Sequence, residues 1–197
     1  MTTSTCLSAF GVAAFAGACL AGPMPFEIFE NGDGITVDGL QVSVDAIDAG
    51  DSIDFVIMNN SVIGGVVTKI MIENSPTSSS LGSFDLGGAA WQTANHGTPP
   101  GSLGNDHGAW QGTFLSLRSR ASRIHNGLAA GESLTVSFDL GALSFDEAYN
   151  AFVDGDFRFV THIQSIGDAS VWGVNVPAPA SAALLAMAGL GVSRRRR

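Results

Sequence analysis

The chain predicts an all-β domain: an antiparallel β-sandwich, jelly-roll-like, with one short helix, and a further apolar helix at each terminus. Three observations lead there. Segment after segment of the body alternates apolar and polar residues, the period of a strand with one buried face. Glycine is frequent, 25 of 197 residues, and Ser/Pro/Asn-rich turns separate the alternating runs. One stretch, Ser144-Phe145-Asp146-Glu147, instead has the spacing of a helix capping box.

Residues 1–21 open with small polar residues, run through an apolar stretch from Leu7 to Leu20, and end at the small-residue site Cys19-Leu20-Ala21. This is the layout of a secretory signal peptide cleaved after Ala21, although no Lys or Arg precedes the apolar stretch. A buried amphipathic helix would show a polar face, and this run has none. Both cysteines, Cys6 and Cys19, fall inside it. The mature chain is then expected to have no disulfide, no thiol chemistry and no Cys-zinc site.

Residues 22–175 are the length of one ordinary domain. Ile35 to Val44 alternates on either side of Asp38-Gly39, as a strand or hairpin. Asp51 to Asn59 puts Ile53, Phe55 and Ile57 on one face, and Asn59-Asn60-Ser61 turns the chain. Val66 to Glu73 reads as a strand with Val67, Lys69 and Met71 on one side and Val66, Thr68, Ile70 and Ile72 on the other. Between Asn74 and Asn126 regularity fades into loop signals, with Phe114-Leu115-Ser116-Leu117 as one short strand. Ser133 to Leu140 groups Leu134, Val136 and Phe138. The capped helix then places Ala148, Ala151 and Phe152 together and stops at Asp154-Gly155. Phe157 to Ile166 and Ser170 to Val176 close the domain.

The formal charge of −9 understates how acidic this body is. All eighteen carboxylates lie between Glu27 and Asp168, whereas four of the nine basic residues are Arg194 to Arg197. Residues 22–175 thus set five cations against eighteen carboxylates, a formal −13. Such a surface repels nucleic acid and anionic lipid, and leaves calcium open as a ligand.

Residues 176–197 have a different pattern. Pro177-Ala178-Pro179 breaks the chain, Ala180 to Val192 is apolar, and Arg194, Arg195, Arg196 and Arg197 follow. The run is shorter than the ~20 residues that span a bilayer. It inserts with thinning of the bilayer or snorkelling by the arginines, which stay on the cytoplasmic side. The pattern suits a temporary membrane hold during export. It resembles the PEP-CTERM sorting signal of exopolysaccharide-producing Gram-negative bacteria, in which Pro-Glu-Pro precedes a short transmembrane run and a basic cluster. Ala178 stands here in place of the glutamate. The resemblance implies a hydrophobic sorting helix, read and processed by an exosortase-type membrane protease after passage through the secretion machinery.

The body is similar to a group of exported PEP-CTERM proteins as well. Phe55 to Asn60, Val67 to Ile72, Gly127 to Leu140, Phe145 to Val153 and Arg158 to Gly167 are the matching stretches. That likeness implies a β-sandwich and carries over no catalytic residue.

Other constellations read as structure first. His96 and His107 flank a loop without the spacing of a metal motif, His125 lies in a polar turn, and His162 lies within a strand. Asp45, Asp48, Asp51 and Asp54, with Asn31, Asp33 and Asp38, offer oxygen ligands but lack calcium-loop spacing; Asp-Ala-Gly-Asp also suits a plain turn. Trp91, Trp110 and Trp172 suit a core, although Trp91 and Trp110 fall in the irregular region where a sugar could stack. Asp146 and Glu147 are adjacent on a helix N-terminus and do not face each other. No nucleophile elbow, phosphate loop or zinc helix occurs.

The expected protein is an exported, non-enzymatic cell-surface or extracellular-matrix component, structural or adhesive, associated with exopolysaccharide and touching the membrane through its tail. No cofactor is required and no nucleic acid is bound. One alternative is a carbohydrate-binding module that stacks sugars on Trp91 and Trp110, with calcium assisting. Another is a secreted glycan-active enzyme, which needs two carboxylates roughly 5–10 Å apart in a cleft.

Overall fold

The computed structural model describes residues 22–31, 37–87, 90–95, 97–121, 123–167 and 169–176. The expected leader, His96 and everything from Pro177 onward lie outside the described residues. Ten strands alternate with two helices: β1 (Met24–Asn31), β2 (Val42–Asp48), β3 (Ser52–Asn59), β4 (Val66–Glu73), β5 (Phe84–Leu86), β6 (Trp91–Thr93), α1 (Leu103–Asp106), β7 (Thr113–Ser119), β8 (Ser133–Asp139), α2 (Phe145–Val153), β9 (Phe159–Ile166) and β10 (Ala169–Asn175). They form one antiparallel sheet in the order β5-β8-β3-β2-β1-β10-β9-β4-β7-β6.

β1 makes the sheet continuous. Met24 and Pro25 pair with β2, while the strand from Phe26 to Asn31 pairs with β10, with a register shift between Ile28 and Glu30. The sheet curls into a nearly closed, barrel-like wall whose open edges, β5 and β6, are three residues each. Edges that short offer little unpaired backbone to another chain. The all-β antiparallel expectation stands at this level, with two helices in place of one. α1 is only four residues long and contains Gly104, so it leaves no helical period to read.

One core fills the curl. Val42, Val44 and Ala46 from β2, Ile53, Phe55 and Ile57 from β3, and Leu134, Val136 and Phe138 from β8 alternate inward. Phe55 is the hub, with its ring centroid 5.0–6.0 Å from those of Phe138, Phe152, Phe157 and Phe159. These rings come from β8, α2, the turn after it and β9, so one side chain ties β3 and β8 to β9 and to the helix. At nine residues α2 is too short to persist alone and depends on its cap and packing. Glu147 N–H donates to Ser144 Oγ at 3.3 Å, and Ser144 N–H donates to the Glu147 carboxylate at 2.8 Å. The Ser144 bonds hold the Glu147 carboxyl below its usual range. Ala148, Ala151 and Phe152 are the buried face.

Asn59, at the end of β3, is fully buried and staples three segments. Its Nδ2 donates to the carbonyls of Gly65 and Leu128 at 3.0 and 2.9 Å, and its Oδ1 accepts from Ser61 Oγ at 2.6 Å. The segment that carries Leu128 passes so close to β4 that a Cβ at Gly127 would meet the Val67 carbonyl at 2.6 Å. Only glycine fits there.

Candidate functional site

β4, β7, β9 and β10 are buried on both sides along part of their length. Ile70, Ile72, Leu117, Phe159, Ile163 and Val171 belong to the inner core. Met71, Val160 and Val174 are buried too, because the chain between Ala94 and Gly112 folds back over the outer face and inserts Leu103. Phe29, Trp110 and Trp172 pack around this second cluster.

Beside it runs a row of polar groups at right angles to the strands. Trp172 in β10 stands opposite His162 in β9; His162 stands opposite Lys69 in β4; Lys69 stands opposite Arg118 in β7; and Arg118 stands opposite Gln92 in β6. A bulge sets this row. Plain alternation puts Lys69 on the face of Val67, which was the expectation. Instead the register of β4 against β9 shifts between Val67 and Lys69. Val67 thereby joins the inner core with Ile70 and Ile72, while Lys69 keeps the outer face of Met71, beside Thr68. Re-aiming a side chain in this way is a common use of a β-bulge.

Lys69, Arg118, Arg123 and His162 line one pocket of about 210 Å³, with Thr68, Ala94 and Asn95. Three of the five cations of residues 22–175 meet there. Among the described residues, no carboxylate lines the pocket, and the one ion pair, Glu73–Arg158, lies elsewhere. Arg123 reaches the pocket from the loop after β7, where its carbonyl accepts from Ser119 Oγ at 2.9 Å. Arg118 and Arg123 are exposed and Lys69 is half-buried.

The electrostatics are unfavourable for the fold alone. Burial, then Arg123 and Arg118, push the Lys69 ammonium below the ordinary lysine range. Like charges directly opposite on neighbouring strands also destabilise a sheet. Aromatic contacts offset part of this. The Lys69 Nζ lies 5.8 Å from the centre of the Trp172 ring, in cation–π range. The His162 ring stacks on the same indole, centroids 4.5 Å apart, and its Nδ1 lies 3.5 Å from Thr68 Oγ1. Gly97 adjoins the ammonium; a Cβ there would come within 3.0 Å of Nζ.

A second cleft, about 420 Å³, opens between the ends of β4 and β10, the start of β9 and the turn after α2. Arg158 Nε donates to Glu73 Oε2 at 2.5 Å and its Nη2 to Oε1 at 2.7 Å. Both residues are buried, 9% and 2% exposed. Arg158 also donates to the carbonyls of His107 and Ala109, and Gln111 N–H donates to Glu73 Oε1 at 2.8 Å. Such bonds are what make a buried ion pair tolerable. They also tie the covering loop down, and they engage both oxygens of Glu73. Asp106, Asp154 and Asp156 line the same cleft and are exposed.

The sequence-predicted residues scatter. Trp91 is 5% exposed and sits in the inner core, so its ring is not open to a sugar. Trp110 lies in the outer cluster, with its indole N–H donating to Thr113 Oγ1 at 3.1 Å and its ring 5.8 Å from the Arg158 guanidinium. The two rings therefore do not form one stacking platform. His107 packs edge-on against Phe29, and His125 is exposed. Asp45, Asp48, Asp51 and Asp54 are spread along the β2–β3 hairpin, where Asp48 Oδ1 accepts from Gly50 N–H at 2.9 Å in the turn. Among the described residues, no group of three or more His, Cys, Asp or Glu side chains could hold a metal ion. Pro177, Ala178, Pro179 and Arg194 to Arg197 lie outside the described residues, among which no helix is long and apolar enough to cross a membrane.

Sequence reasoning passed over Lys69, Arg118 and Arg123. The available signal was scarcity, since residues 22–175 hold so few cations. Missing was the cross-strand register that brings them together. Set against known proteins, the chain matches no family model, no curated protein and no solved structure.

Proposed function

We propose that this is an exported, non-catalytic protein of the cell surface or extracellular matrix, structural or adhesive, held near exopolysaccharide. The observation that carries the reading is the tail: Pro177-Ala178-Pro179, the apolar run from Ala180 to Val192 and Arg194 to Arg197. This order of turn, short apolar run and cations suits brief membrane residence and removal by an exosortase-type protease. The leader at residues 1–21 supplies entry to the secretion machinery. The domain between them suits life outside the cell: acidic, without cysteine in residues 22–175, and held by a phenylalanine-rich core. In its finer form this domain is a sandwich, with β1 passing between its two layers; its change of partner from β2 to β10 supports that description.

The test is mass spectrometry of the protein from its native host, in envelope, matrix and culture fractions. The expected mature form begins after Ala21 and lacks some or all of residues 176–197. Recovery from the cytosol with Met1 and Arg197 both present overturns the reading.

Carbohydrate binding is the second reading, and the cation row favours it over stacking on Trp91. The enzymatic reading has less support, because Glu73, the buried carboxylate of the acidic cleft, is fully engaged by Arg158 and Gln111.

A further inference from the structure

We propose that Lys69, Arg118, Arg123 and His162 form a binding pocket for one oxyanion carried on a sugar, the carboxylate of a uronic-acid unit in an acidic polysaccharide. The inference rests on the association with exopolysaccharide proposed above, and gives it a site and a chemistry.

The first argument is that clustered cations cost the fold, and the contacts of Lys69 and His162 with Trp172 offset only part of that cost. Lys69 and Arg118 face each other across β4 and β7 with no carboxylate between them among the described residues. A bulge in β4 sets Lys69 opposite His162, so that the ammonium, the imidazole and the Arg118 guanidinium fall in one row. Like-charged groups brought together in a cleft, without a carboxylate to answer them, mark a candidate site for a ligand of opposite charge.

The second argument is shape. A pocket of about 210 Å³ is smaller than the ~300–1,000 Å³ of a typical small-molecule site. It accepts a substituent while the rest of the ligand lies on the surface. The Arg118 and Arg123 guanidinium forks, both exposed, match a planar carboxylate, and Lys69 adds a point charge at the pocket's inner side. Trp172 positions Lys69 and His162 from one side.

The third argument is the surrounding charge. Nucleic acid brings one phosphate charge per ~1.7 Å of duplex and would press them against a body of formal charge −13. A polysaccharide with at most one carboxylate per sugar needs only the local pocket. Sulfate and phosphate share the oxyanion chemistry, so they serve as competitors in the test.

The test uses the protein in the form its host produces, purified in detergent. It is titrated by calorimetry with hexagalacturonate, with the same hexamer reduced to neutral sugar, with a sulfated oligosaccharide and with inorganic sulfate. Hexagalacturonate should bind at one site, and the neutral hexamer should not. The Arg118→Gln/Arg123→Gln double variant should bind at least tenfold more weakly while unfolding at or slightly above the wild-type temperature, since both side chains are exposed and the Lys69–Arg118 repulsion is relieved. Raising ionic strength should weaken wild-type binding as well. No binding of hexagalacturonate, undiminished binding by the variant, or equal binding of the neutral hexamer overturns the pocket. Sulfate or the sulfated sugar binding more tightly than hexagalacturonate overturns the carboxylate assignment. Fractionation of the host separates the two readings. Wild-type protein that binds hexagalacturonate but never reaches the matrix sinks the localisation alone; matrix protein that fails to bind sinks the pocket alone.

Discussion

The arm of the sheet made by β8, β3 and β2 and the arm made by β10, β9, β4 and β7 enclose the same phenylalanine core, yet their outer faces differ. The first arm sends Ser43, Asp45, Asp54, Thr135 and Ser137 outward as half-buried polar groups, and strict alternation follows. The second arm lies partly under the loop that carries α1. Its outer face therefore has a small core of its own, a buried ion pair and a cluster of cations. The difference separates two kinds of polar group. Glu73 and Arg158 answer each other and hold the loop. Lys69, Arg118 and Arg123 are not answered by any described carboxylate, and that imbalance makes them a candidate for binding.

Breaking what the arms share should cost most. Phe55→Ala opens the hub between β3, β8, α2 and β9, and should lose about 3–5 kcal/mol of unfolding free energy in urea titrations. A loss confined to one arm, seen as partial protection in hydrogen exchange, would show that the core is not common to both.

Arg158→Ala acts on the second arm alone. It strands a buried carboxylate and should cost about 3 kcal/mol or more. The paired change Glu73→Leu/Arg158→Met should recover most of that loss, because two apolar side chains leave no orphaned charge. If the pair is as damaging as the single change, the ion pair is not what holds the loop.

Asn59→Ala sits between these in kind, because it ends β3 in the first arm and bonds to the segments that flank β4. Removing its amide takes a donor from the Gly65 carbonyl and leaves the Leu128 carbonyl only the Val67 N–H, and about 1–3 kcal/mol should go. A loss below about 0.5 kcal/mol would mean water replaces the amide.

Lys69→Gln is the smallest effect and has the opposite sign. Relief of cross-strand repulsion should leave stability unchanged or raise it by up to about 1 kcal/mol. The pH dependence follows. Folded Lys69 binds its proton more weakly than the unfolded chain does, so its charge weakens the fold at neutral pH. That weakening is lost as pH rises from the lowered folded value toward the ordinary lysine value. The advantage of Lys69→Gln over wild type should therefore shrink across that alkaline window. An advantage that grows there would reverse the sign and count against the repulsion.

Local signals were legible where neighbours in sequence are neighbours in space. Ser144 and Glu147 cap α2 through atoms one helical turn apart, and β3 and β8 show their buried faces by alternation alone. Legibility failed where a strand depends on distant partners. β1 carries Pro25 and changes partner midway, so no single period marks it. β5 and β6 are too short for a pattern, and β4, legible as a strand from Val66 to Glu73, hid the facing of Val67 and Thr68 because both its faces are buried.

By itself the sequence determined an acidic, strand-rich domain, its α2 helix with both ends, and the parity of the strands that face water on one side. These depend on composition and on interactions within a few residues. Only the tertiary structure decided that β1 joins the two arms, that Trp91 is buried, that Arg158 answers Glu73, and that Lys69, Arg118 and Arg123 share a pocket. Each of these depends on register between strands far apart in the chain. One bulged residue in β4 is enough to put Val67 and Lys69 on opposite faces, and alternation along a single strand does not contain that information.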